Sequence, residues 1–186
     1  MEKSGYERYG LLGNPFRDLA SETIEAIELL HVNQPFDRDI ATMIEEAREK
    51  VNKSVVLMMG EHGMGKTERL MLIQSDCQKK GNFCVFRNVT SDCEGTVNSI
   101  CEGIVSDYKK TKKKKLMTPK WMANVNKFTK RTKTEFEAEK AGRVIAEALN
   151  NLAPSFLLLN DLQGLKDSKE ADRLNSVMNT LLNGIV

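Results

Sequence analysis

The sequence predicts an α/β fold, a three-layer α/β/α sandwich on a parallel sheet, and three observations carry that prediction. Short runs at 54–59, 83–88 and 156–161 are mostly apolar and lack strict polar alternation, as strands buried on both faces should. Segments with apolar residues at helical spacing separate them. A glycine-rich stretch joins the first run to the helix behind it, as a β-α unit requires. The resulting order, β-α-β-α-(insert)-α-β-α, makes the strand connections crossovers, so the strands should run parallel.

Residues 9–16 (Tyr-Gly-Leu-Leu-Gly-Asn-Pro-Phe) mix turn formers with large apolar side chains and read as a packed, extended arm. Ser21 is a plausible cap for a helix over 21–30. Pro35, tolerated in a first turn, opens a second helix over 35–51 with Ile40, Met43, Ile44 and Ala47 on one face. Residues 54–59 (Ser-Val-Val-Leu-Met-Met) read as the first strand, buried and parallel. The helix over 66–80 carries Leu70, Met71, Ile73 and Cys77 and stops at Gly81, the residue best suited to a left-handed C-terminal turn. Residues 83–88 form the second strand, and 94–108 a helix with Val97, Ile100, Cys101, Ile104 and Val105 inward. Thr118 and Pro119 read as cap and first turn of a short helix bearing Trp121, Met122 and Val125. A helix over 134–150 carries Phe136, Val144, Ile145, Ala148 and Leu149. Pro154 leads into the strand 156–161, and a last helix over 168–183 ends at Gly184.

At 186 residues the chain suits one domain with its own core. The organisation expected is an N-terminal arm and first helix over 1–34, then a core over 35–186 with a basic insert at 109–133. The composition, 40% hydrophobic and 29% charged, is that of a soluble globular protein, and no apolar run approaches the roughly 18 residues of a membrane span. The first residues lack the apolar stretch of a signal peptide, so a cytoplasmic location is expected. Cys77, Cys84, Cys93 and Cys101 are seven to nine residues apart with no Cys-x-x-Cys pair, which argues against zinc and for buried thiols.

The net charge of +2 conceals an asymmetry. Residues 109–133 hold eleven Lys or Arg and no Asp or Glu, leaving 17 basic against 26 acidic residues elsewhere, a net of −9. Lys112, Lys113, Lys114, Lys115, Lys130 and Arg131, with Trp121 among them, have the composition of a nucleic-acid contact, cations for phosphates and an aromatic ring for stacking. A solvated loop with Trp121 in the core is the alternative. No base-reading motif is visible, so any contact with DNA should be largely independent of sequence.

The stretch Gly60-Glu61-His62-Gly63-Met64-Gly65-Lys66-Thr67 fits G-x-x-x-x-G-K-[ST] between a strand-like run and a helix, and reads as a nucleotide-phosphate cradle. Glycines allow the backbone N–H groups to turn inward, and the helix N-terminus adds its positive end, where Glu68 follows. Lys66 would reach the β- and γ-phosphates of ATP, and Thr67 would ligate Mg²⁺. His31 and His62 read as bystanders.

This loop, followed by an apolar strand ending in Asn160-Asp161, resembles the P-loop ATPases of the AAA+ superfamily. Tyr9-Gly10-Leu11, Asn14-Pro15-Phe16 and Asp37-Arg38-Asp39-Ile40 are similar to the front end of members related to replication initiators and to transposition or secretion helpers. The resemblance implies an ATPase that binds ATP or ADP with Mg²⁺, works as a homo-oligomer or with a partner protein, and acts on or is recruited to DNA. It places Val32, Asn33 and Arg38 near the adenine or the domain edge. It also implies two carboxylates at the end of the acidic strand, one for the Mg²⁺ shell and one to polarise the attacking water. Asn160 stands at the first position. Either Asp161 holds the magnesium shell, or it serves as base beside a weaker metal site. Lys66, Asn160 and Asp161 are thus the catalytic candidates, and Thr67, Asn160 and Asp161 the metal candidates. Hydrolysis is the property that Asn160 puts in question, and a nucleotide-dependent switch is the alternative function. The next strand of the family's sheet would begin at 184–186, so the resemblance implies a core without its C-terminal strands, sensor residue, arginine finger and helical lid.

Two other nucleotide-using classes fit less well. A small-molecule kinase would need an arginine-rich lid, and the insert offers only Arg131 among lysines. A GTPase would need a carboxylate where Asn126-Lys127-Phe128 is followed by Thr129.

Overall fold

The computed structural model describes residue 27 and residues 35–50, 55–61, 63–111, 118–130 and 136–185. Ile27 is helical and buried; the arm at 9–16 and the remainder of the first expected helix lie outside the described residues. The fold is α/β, mostly helical, with a small parallel sheet of two strands. Its elements are α1 (Pro35–Lys50), α2 (Lys66–Lys79), β1 (Phe83–Asn88), α3 (Cys93–Thr111), α4 (Lys120–Thr129), α5 (Ala138–Asn150), β2 (Ser155–Asn160), a 3₁₀ turn (Leu162–Gly164) and α6 (Ser168–Gly184).

Strands β1 and β2 pair in parallel from Phe83 opposite Ser155 to Asn88 opposite Asn160. Successive side chains of β1 point to opposite faces of the sheet. Cys84 meets Cys77 of α2, whereas Val85 and Arg87 turn toward α3, where Arg87 Nε donates to the Ser99 carbonyl at 3.0 Å. Helices therefore cover both faces of the sheet. The core lies on the Val85 side and is filled from α3, α4, α5 and α6, with Ile100, Ile104, Ile145 and Val177 fully buried. Each such side chain stabilises the fold by roughly 1.5–3 kcal/mol.

The helix ends follow their sequences closely. Gly81 adopts φ 77, its N–H bonds the Gln78 carbonyl at 3.0 Å, and Asn82 N–H bonds the Cys77 carbonyl at 2.9 Å. These two bonds form a Schellman turn with glycine at the left-handed position. Asp92 caps α3 by accepting from Gly95 N–H at 2.7 Å, and Asp167 caps α6 by accepting from Lys169 N–H at 2.9 Å. Helix α4 starts one residue later than a Thr118 cap implies, because Pro119 occupies the cap position. Gly184 is the last residue of α6 rather than a residue beyond it, and Asn150 Nδ2 bonds its carbonyl at 2.9 Å.

One expected element is corrected. Residues 55–60 form no strand, and Val55, Val56, Leu57 and Met59 are 66%, 52%, 63% and 80% exposed. A strand is stabilised by its ladder and by burial of its faces, and no described segment pairs with this one. On the apolar face of α1, Ile40 is buried, Ile44 half-buried and Met43 exposed. The basic stretch is also less separate than an insert. Lys109 and Lys110 belong to the last turn of α3, and α4 packs against α3 and α5.

Candidate phosphate-binding site

The loop over 60–67 reaches its shape through glycine. Gly63 and Gly65 adopt φ 83 and φ 72, in the region where a Cβ is strained. Gly65 occupies the N-cap position of α2 and offers no side chain to the first turn. The early N–H groups of α2 are consequently not capped by that residue, which is the arrangement that receives an anion at a helix N-terminus. Lys66 curls back over the loop, its Nζ donating to the Gly60 carbonyl at 2.9 Å and the Glu61 carbonyl at 2.7 Å.

The outer side of the loop is braced by a residue just beyond the motif. Arg69 Nη1 donates to the Met64 carbonyl at 2.9 Å, and Arg69 Nε pairs with Asp37 of α1 at 3.1 Å. One guanidinium thus ties the loop, α2 and the first turn of α1 together.

A second contact joins the loop to the sheet. Thr67 Oγ1 donates to Asn160 Oδ1 at 3.1 Å, and Asn160 Nδ2 donates to Asn88 Oδ1 at 3.0 Å. Asn88 and Asn160 are the matched last residues of β1 and β2, so the register of the sheet puts their amides side by side at its carboxyl end. Asp161 follows in the left-handed region, φ 62 and ψ 49, and its carbonyl accepts from Gly164 N–H at 2.8 Å. The carboxylate of Asp161 is exposed, as is Leu162.

Lys66, Thr67, Asn160 and the glycines of the loop are therefore brought together, with Asp161 next in sequence to the Asn160 contact. Arg38 is exposed on α1, beside the Asp37 that holds Arg69. Val32, Asn33 and His62 lie outside the described residues. Asn88, Arg69 and Asp37 were not evident as site residues from sequence. The available signals were a polar residue closing the 83–88 strand and an arginine two positions after Thr67.

Thr67 Oγ1 and Asn160 Oδ1 are neutral oxygens, able to ligate a hard cation or to hydrogen-bond its water but unable to offset its charge. Among the described residues no cluster of three His, Cys, Asp or Glu side chains could hold a metal by itself. No described helix is long and apolar enough to cross a membrane.

The candidate nucleic-acid residues are placed less uniformly. Trp121 is buried, its ring edge-on to Tyr108 at 5.1 Å and 82°, so it serves the core and presents no free stacking face. Lys130 is exposed at the end of α4; Lys112, Lys113, Lys114, Lys115 and Arg131 lie outside the described residues. Lys109 and Lys110 line an open cleft of about 510 Å³ between α3 and α4, with Ser106, Asn126 and Thr129 among its other walls.

Compared with known proteins, the chain matches no protein-family model, no curated protein and no solved structure.

Proposed function

We propose that this chain is the nucleotide-binding core of a P-loop ATPase of the AAA+ type, taking ATP or ADP with Mg²⁺ at the loop over 60–67. The observation that carries the reading is the Thr67–Asn160 hydrogen bond. It sets the hydroxyl of the phosphate-loop motif against the polar end of an apolar strand, where Thr67 and Asn160 would supply oxygens to a nucleotide-bound magnesium ion. The loop backbone and the N-terminus of α2 would receive the β-phosphate, Lys66 would exchange its carbonyl partners for phosphate oxygens, and Thr67 would face the metal. Bound magnesium would neutralise phosphate charge; the protein's part is to fix the oxygens around it.

A second reading is favoured by Asn160 itself. An amide cannot offset the metal's charge as a carboxylate does, so a nucleotide-dependent switch that hydrolyses slowly fits the same geometry. The deciding experiment measures ATP and ADP binding and ATP turnover by the chain, with Lys66→Ala as control. Binding abolished by Lys66→Ala supports the phosphate site, and turnover separates motor from switch. Nucleotide affinity unchanged by Lys66→Ala would end both readings. Recruitment to DNA is a further part of the proposal, supported by exposed Lys109, Lys110, Lys127 and Lys130, and a salt-dependent affinity for duplex DNA is its measure.

A further inference from the structure

Two thiols meet at the far end of α2 from the phosphate loop. Cys77, in the last turns of α2, is 0% exposed, and Cys84, the second residue of β1, is 3% exposed. The Schellman turn at 78–82 folds the chain back on itself, α2 packs on β1, and the Cys84 S–H donates to the Cys77 sulfur. We propose that Cys77 and Cys84 form a redox modification site, a reversible disulfide made by a hydroperoxide, which ties the end of α2 to β1.

The two partners are chemically unlike. The hydrogen bond from Cys84 holds the Cys77 thiol below its ordinary pKa, against the opposing effect of burial. That same bond, with burial and the Cys77 charge, pushes Cys84 up. Cys77 is accordingly the nucleophile. Its thiolate attacks one hydroperoxide oxygen, the O–O bond breaks, and the other oxygen takes up the proton that Cys77 released and leaves as water or an alcohol, as Cys77 becomes a sulfenic acid. The Cys84 sulfur then attacks the Cys77 sulfur, the S–O bond breaks, and the oxygen departs as water with the Cys84 proton. Two thiols lose two electrons and two protons in all, and the hydroperoxide is reduced.

Entry for the oxidant lies at the turn between the two cysteines. Lys79, Lys80 and Gly81 are exposed, and Asn82 Nδ2 is buried without a partner among the described residues. An unsatisfied buried amide weakens its segment, and local opening at a helix end admits small molecules. The other thiols have no such partner. Burial pushes Cys93 up to about 11 and Cys101 up to about 12. Eight residues of helix separate those two by about 12 Å, beyond the roughly 7 Å that a disulfide spans between Cα atoms.

The test treats the folded chain with hydrogen peroxide, then unfolds it in an alkylating reagent and digests it with trypsin without reductant. Cleavage at Lys79 and Lys80 separates the two thiols, so the disulfide appears as residues 70–79 joined to residues 81–87. The expected result is that linked pair, with Cys93 and Cys101 alkylated as free thiols and all four thiols recovered by dithiothreitol. With Cys84→Ser, Cys77 should instead accumulate as a sulfenic acid captured by dimedone. Four alkylatable thiols after peroxide, a bond to Cys93 or Cys101, or oxidation of Cys77 beyond sulfenic acid with no linkage in the unmodified chain would each overturn the proposal.

Discussion

Thr67 Oγ1 donates to Asn160 Oδ1 at 3.1 Å, and Asn160 passes the polarity on by donating to Asn88 Oδ1 at 3.0 Å. The amide does here what a carboxylate could not, since it accepts from one neighbour while donating to the other. Asn160→Asp is therefore expected to act in two directions. On the proposed function, the added charge should strengthen the magnesium dependence of ATP affinity by about tenfold, the difference expected between neutral and charge-assisted contacts. Loss of the donor to Asn88 should lower stability by about 1 kcal/mol. Nucleotide titrations with and without Mg²⁺, beside urea unfolding, check both; an unchanged magnesium dependence would remove Asn160 from the metal shell.

The helix pair α5 and α6 depends on a residue that has no side chain. A Cβ at Gly142 would stand 2.6 Å from the Val177 carbonyl oxygen and 2.7 Å from Thr180 Cβ, so backbone would have to move. Gly142→Ala should destabilise the fold by about 1–3 kcal/mol despite the helix propensity gained. Gly103→Ala meets first the guanidinium of Arg87, a side-chain group that can move aside by giving up its bonds to the Ser99 carbonyl and Asp107, and should cost less than a backbone shift. Urea midpoints of the two variants test the ranking, and a milder effect at Gly142 would contradict the close approach.

Most of this fold was legible because its signals are local. Gly81, Pro154 and the period of 168–183 each mark an element end or face within a few residues, and the helices and two strands follow them. The run over 54–59 has equally strand-like chemistry, yet its described residues 55–59 form no strand and are mostly exposed, because strand formation depends on a partner that the run itself does not encode. The site divides in the same way. The glycine-rich loop over 60–67 is contiguous, and the left-handed turns at Gly63 and Gly65 could be read directly. Asn88 could not, since its place beside Asn160 follows from the register of two strands 72 residues apart.

Helices α3 and α6 meet through a carboxylate. Glu170 Oε2 accepts from Cys93 N–H at 2.7 Å, at the first residue of α3, while Glu170 Oε1 pairs with Arg173 at 2.8 Å. The backbone hydrogen bond first, and Arg173 second, hold this carboxyl below its ordinary value of 4.5. A depressed folded-state pKa means the contribution is fully present above the unfolded value and is lost as pH falls through the folded one. Glu170→Gln should therefore flatten the fall in melting temperature below about pH 4.5 and change little of its slope near neutrality. Parallel acid limbs for the variant and the parent chain would show that the pair is not linked to folding.

Asp161 joins two roles that substitution can separate. Its backbone is left-handed, φ 62 and ψ 49, a conformation that costs most residues about 1 kcal/mol or more and glycine little. Its exposed carboxylate is the one acidic group in the Asn160-Asp161 pair and, on the proposed function, the group that serves the metal shell or the attacking water. Asp161→Gly should retain the fold or stabilise it slightly while removing the carboxylate. Asp161→Ala should remove the carboxylate and also lower stability by about 1 kcal/mol, because alanine has neither glycine's freedom nor the local hydrogen bonding that lets Asp tolerate this region. If the carboxylate acts in hydrolysis, both variants lose turnover alike although only one is destabilised. If turnover instead tracks stability, falling in Asp161→Ala and surviving in Asp161→Gly, then the residue serves the 3₁₀ turn at Leu162–Gly164 and the catalytic carboxylate has to be sought elsewhere.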